Sequence, residues 1–238
     1  MKKQIQWAAL VALGCLVAVG APASVNKSIK IEAGATSDGA STVNGKVSVG
    51  DGAIITGDVE SVNGTVRIGS GVQAEAVDSV NGRVSVGDDS IVASVQTVNG
   101  RNEIGERVRI AGDVSTVNGQ VSIEQGSTVG GDVDTVNGKI QLTGVVVSGD
   151  IGNTNGGVYL DEGTRVSGSV VVRKTKSYGW SWGKKERSKP IVVIGRNVVV
   201  EGPLIFEREV ELYVHETAQI AEVQGKNIEM QRYSGDKP

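Results

Sequence analysis

A chain of 238 residues with 34 glycines, 4 prolines and 3% aromatic residues carries about twice the usual share of glycine, a composition for turns and strands rather than collagen or disorder. Its 24 basic and 27 acidic side chains leave a net charge of −3, so no electrostatic footprint for nucleic acid is expected. One cysteine excludes an internal disulfide, and one histidine excludes a multi-histidine metal site.

The chain opens on Lys2 and Lys3, followed by an apolar run over 7–20 and the small-residue pattern Ala21-Pro22-Ala23. The run is too short, and too soon followed by polar sequence, for a spanning element of the fold. Residues 1–23 are therefore expected to be a signal peptide cleaved after Ala23, sending the chain to the periplasm or cell envelope. A rival reading makes Cys15 a lipid-attachment site, but Ala12 stands where such a site wants leucine.

Beyond the leader the sequence repeats itself. Ser/Thr-Val-Asn-Gly recurs so that Asn26, Asn44, Asn63, Asn81, Asn99, Asn118, Asn137 and Asn155 follow one another at intervals of 18 or 19 residues. A fixed period of this size marks a solenoid. Within each repeat apolar residues stand two apart: Val47/Val49 and Ala53/Ile55, Val84/Val86 and Ser90/Val92, Val121/Ile123 and Ser127/Val129. Two is the strand period. Val59/Val62, Val95/Val98 and Val133/Val136 are assigned to a third inward pair around the turn.

Three short strands per repeat cannot enclose a core, but stacked repeats can. The fold expected over 24–223 is an all-β, single-stranded parallel β-helix of about ten three-sided coils. A right-handed crossover is preferred. The Asn-Gly corners are read as turns that use the positive φ open to glycine, and the eight asparagines as a structural ladder of stacked amides. Residues 224–238 read as a polar tail. Its alternating Ile228, Met230 and Tyr233 are expected to cover the last coil, leaving the other end bare and favouring an end-to-end dimer.

Other columns offer weaker candidates. Asp58, Asp113, Asp132 and Asp150 align before one corner, as a solvated edge or a cation row. Lys46, Arg83, Arg101 and Lys139 form a basic row after the asparagine corner. His215, alone in the last coil, is placed at a surface or corner position with no nucleophile beside it. No catalytic, cofactor or metal motif is present, and the chain is expected not to be an enzyme.

Residues 173–190 break the repeat. They hold Arg173, Lys174, Lys176, Tyr178, Trp180, Trp182, Lys184, Lys185, Arg187 and Lys189 against one acid, Glu186. Basic residues interleaved with aromatics suit lipid headgroups or glycan; the alternative is a loop whose aromatics fold back on the solenoid wall.

The steps Val47-Ser48-Val49-Gly50 and Gly57-Asp58-Val59 resemble those of bactofilins, bacterial polymer-forming β-helix proteins. The Ser/Thr-Val-Asn-Gly repeats are similar to adhesin-like β-solenoids of bacterial envelopes. The first resemblance implies a non-enzymatic structural protein that self-associates through its ends. The second implies a surface adhesin or a glycan or headgroup binder acting through 173–190. Triangular coils of this length also occur in hexapeptide-repeat acyltransferases, but His215 has no carrier-pocket signature around it.

Overall fold

The computed structural model describes residues 22–174 and 189–235. Every regular element in them is a strand, and every pairing is parallel. One sheet holds 11 strands; a second holds 19. Together they make three walls of a solenoid, here called faces one, two and three in chain order.

The second coil shows the plan: Val47–Val49 on face one, Ile54–Ile55 on face two and Val59–Asn63 on face three. Ten such coils follow one another, flanked by Ala23–Ser24 on face three below and Ile228–Tyr233 on face one above. Eleven rungs on face one, about 4.8 Å apart, give a rod of roughly 48 Å.

In coils three and four the strands Gln73–Asn81 and Ile91–Asn99 run unbroken through faces two and three. Coil two has Thr56-Gly57-Asp58 between inward Ile55 and Val59, whereas coil three has only Glu75-Ala76 between Ala74 and Val77. The lost residue removes the break and makes these repeats 18 rather than 19 long.

The core is a stack of β-branched side chains. Val47, Val59, Val84, Val121 and Val133 are fully buried, and Val86 is 3% exposed. Val86 lies in register with Ile68 below and Ile104 above; Val121 lies between Asn102 and Ile140. Branched side chains lose little rotamer freedom on such a surface, and a valine taken from water gains about 1.5 kcal/mol.

The third inward pair differs from the expectation. Val62, Val98 and Val136 face outward, half-buried, while Ser61, Thr97 and Thr135 point inward and are buried. Strict alternation from Val59 demands this, since Val62 is three residues on. The inward hydroxyls are satisfied by the coil below: Ser61 Oγ donates to Gly45 O at 3.3 Å, and Thr135 Oγ1 to Gly119 O at 3.3 Å. In the fifth coil Asn102 replaces a core valine, accepting from Thr97 Oγ1 at 3.2 Å and donating to Ser115 O at 2.8 Å.

The tail reading is corrected over 228–233. Ile228–Tyr233 does not fold across the end but adds an eleventh rung to face one, pairing residue for residue with Val210–His215. Alternation of Ile228 and Met230 with polar residues is the strand pattern itself. The lower boundary also moves: Ser41 N donates to Pro22 O at 3.0 Å, so the stack includes residues ahead of Ser24. Residues 1–21, with Cys15 and most of the leader, lie outside the described residues.

Candidate interaction surface

At the corner between faces three and one, the asparagine side chains form a continuous column. Asn44 Nδ2 donates to Asn26 Oδ1 at 2.9 Å, Asn63 to Asn44 at 2.9 Å, and Asn81 to Asn63 at 2.9 Å. The series continues through Asn99 and Asn118, both at 2.8 Å, Asn137 at 2.7 Å and Asn155 at 2.8 Å. Each donor points to the preceding coil. At the upper end Asn155 Oδ1 accepts from Arg208 Nη1 at 3.1 Å, placing a cation at the acceptor end of the column.

Glycine follows each of these asparagines for a reason other than the one expected. Left-handed φ occurs instead at the corner between faces one and two: Gly52 (+68°), Gly71 (+66°), Gly126 (+78°), with Asp89 (+59°) and Arg107 (+55°) in the same column. At the asparagine corner the limit is space. A Cβ on Gly100 would stand 1.6 Å from Gly82 O, and one on Gly119 1.5 Å from Gly100 O.

The aspartates before the face-three corner serve the backbone. Asp58 Oδ1 accepts from Ala76 N at 3.2 Å, Asp113 from Asp132 N at 2.9 Å, Asp132 from Asp150 N at 2.8 Å, and Asp150 from Ser169 N at 2.7 Å. Among the described residues no group of three or more His, Cys, Asp or Glu is placed to hold a metal ion. The basic row is spread along an edge: Arg83 pairs with Glu103 at 3.4 Å, and Lys139 sits 4.5 Å from the centre of the Tyr159 ring. A shallow depression beside it on face one is lined by Ser85, Arg101, Glu103, Gln120, Ser122 and Glu124.

His215 does occupy the corner, but it is 4% exposed. Exposure was expected because 224–238 read as a tail; the added rung places Tyr233 edge-on over the imidazole, ring centres 5.1 Å apart. Thr217 N donates to Nδ1 at 3.2 Å, while Nε2 is buried without a partner.

The outer side of face three differs from every other surface. Val43, Val62, Val80, Val98, Val117 and Val136 stand one above another, half-buried, as an apolar stripe. Beside them runs a column with Glu60, Asp78 and Asp134. Burial, then the carboxylates of Glu60 and Asp58, push Asp78 up to about 7; its Oδ1 is buried and has no partner. Asp134 is also raised by burial, against the pull of Arg173.

Of the basic and aromatic candidates in 173–190, Lys176, Tyr178, Trp180, Trp182, Lys184, Lys185 and Arg187 lie outside the described residues. The other three mark where the segment leaves and re-enters. Arg173 reaches back two coils over Gly152 to pair with Asp134 at 2.7 Å. Gly152 leaves the slot open, since a Cβ there would stand 2.2 Å from Arg173 Nη1. Lys174 N donates to Glu207 Oε2 at 3.0 Å. Lys189 Nζ pairs with Glu229 and lies 3.9 Å from Glu209.

These features define a three-faced parallel β-solenoid whose distinctive surface is face three with its corner ladder. Compared with protein-family models, curated proteins and solved structures, the chain matches none. Its likeness to bactofilins or to adhesin-like solenoids is carried by the repeat motifs alone.

Proposed function

We propose that the protein is a non-enzymatic structural rod of the bacterial cell envelope, exported by its leader and self-associating through its ends. The observation that supports this most directly is the state of the two ends. Among the described residues nothing pairs with the outer edges of Gln219–Ile220, Val223–Gly225 and Ile228–Tyr233 above, or of Ala23–Ser24, Ile29–Ile31 and Thr36–Ser37 below. Such edges carry a row of free N–H and C=O groups that templates further strands.

The ends are also complementary steps. The top finishes one rung higher on face one than on faces two and three, and the bottom starts one rung lower on face three. A second copy stacked head to tail continues faces one and three and leaves a single rung vacant on face two. Without a cap at the top, growth is not limited to the dimer inferred from the sequence alone.

Light scattering on residues 24–238 tests the proposal. Assembly is expected at tens of micromolar and is expected to disappear when Gln224 and Met230 on the upper edges are replaced by proline, which cannot donate to a rung. A strict monomer throughout that range refutes it.

A further inference from the structure

We propose that residues 175–188 dock as an extended run along the outer side of face three, setting Tyr178, Trp180 and Trp182 against the valine stripe. Three observations carry this. The first is charge. In coils one to seven, face three and the corner leading into it hold nine acidic side chains and no Lys, Arg or His. Residues 173–190 hold seven basic side chains and one acid. A chain nearly balanced overall has separated its charges onto one wall and one segment, and complementary potentials of this kind fix orientation and register.

The second observation is position and reach. The segment leaves the stack on face three itself, at coil eight, and Arg173 already turns down that face to Asp134, two coils below. Fourteen residues running out and back extend roughly 23 Å. Val136, Val117 and Val98 lie two, three and four rungs below Arg173, or roughly 10, 14 and 19 Å at the rung spacing. All three are within reach.

The third is spacing. Tyr178, Trp180 and Trp182 are two apart, so an extended run turns all three rings to the same side. Tyr178 to Trp182 then spans roughly 13 Å against roughly 10 Å from Val98 to Val136. Flat rings over stacked isopropyl groups bury large apolar area at little cost in side-chain freedom. The intervening Ser181 and the Lys and Arg residues on either side face water or the flanking aspartates.

Tryptophan fluorescence tests the proposal in the full chain carrying Trp7→Phe, so that only Trp180 and Trp182 report. Their emission is expected to be blue-shifted and several-fold less quenched by acrylamide than in the free peptide 173–190. Protection is expected to be independent of protein concentration and to weaken in 1 M salt. Val98→Lys with Val117→Lys, outward substitutions that leave the core untouched, is expected to abolish protection while circular dichroism and Tm stay as in the parent. Emission equal to that of the free peptide overturns the proposal. So does protection that survives the double substitution, which puts the segment elsewhere. Protection lost on dilution gives the site to the segment of a second copy and overturns the intramolecular contact.

Discussion

Replacing Gly100 by alanine tests whether close approach, not backbone conformation, is why glycine follows asparagine in every coil. The new Cβ would meet Gly82 O at 1.6 Å and Gly82 C at 2.6 Å, where ordinary contact begins at 3.4 Å. Both atoms are backbone, so no side chain can swing away; the corner has to rise by roughly 1.5–2 Å. That displacement breaks the bonds joining this corner to the one below: Gly82 N to Asn99 O at 3.1 Å, Val84 N to Arg101 O at 2.9 Å, and Asn99 Nδ2 to Asn81 Oδ1 at 2.8 Å. At about 1 kcal/mol net for each bond, with some loss of packing between the coils, the cost is about 3–5 kcal/mol. Gly52→Ala is the matched control. Gly52 sits at +68° with nothing within 4 Å of its Cβ position, so the loss there is the left-handed penalty alone, about 1–2 kcal/mol. Urea unfolding of both variants, followed by circular dichroism, decides between them. If Gly52→Ala costs as much as Gly100→Ala, the steric account of the asparagine corner is wrong.

Three further outcomes follow from the same stack. Val86→Asp buries a charge between Ile68 and Ile104 and is expected to lower stability by about 3–5 kcal/mol; an unchanged Tm would mean the inward register is misdrawn. Asp78 holds its proton to about 7 in the folded chain and to 3.8 in the unfolded one. The folded state therefore binds more protons between those values, and stability falls as pH rises through that window and stays lower above it. Asp78→Asn is expected to raise Tm at pH 8 and to lose that advantage near pH 4; an effect independent of pH would refute the assignment. Arg107 occupies a left-handed position that other coils give to glycine, at φ +55°. Arg107→Gly is expected to raise Tm despite removing an exposed ion pair with Asp89, and a lower Tm would show that the pair outweighs the strain.

The solenoid was legible because two periods coincide in the sequence, asparagines every 18 or 19 residues and valines every two. What escaped was local and had physical causes. Val62 was assigned to the core on hydrophobicity, when alternation from Val59 gives that place to Ser61. A serine is at home there because a carbonyl of the coil below accepts from it. Asn-Gly suggests a left-handed turn in any hairpin, but a glycine needed for clearance reads identically as letters; only the carbonyl at 1.6 Å tells them apart. Residues 228–233 looked like a tail because they are mostly exposed, as the final strand of any stack must be. Face three was in plain sight as charge. No basic residue stands in its seven segments, yet that becomes a surface only once the period is folded into rungs.

The asparagine column has one more consequence, for how long such a rod can be. Every amide finds its acceptor one repeat earlier, and the direction of the whole series is set at one place, where the guanidinium of Arg208 can only donate to Asn155. Nothing in the middle of the column therefore records how many members it has. Excising residues 82–99 joins Asn81 to Gly100 and brings Asn118 onto Asn81 with the motif intact, one rung shorter and with both termini of the ladder unaltered. The coils between Asn26 and Asn155 behave as interchangeable cassettes, and length becomes a property that gain or loss of whole repeats adjusts by about 4.8 Å at a time.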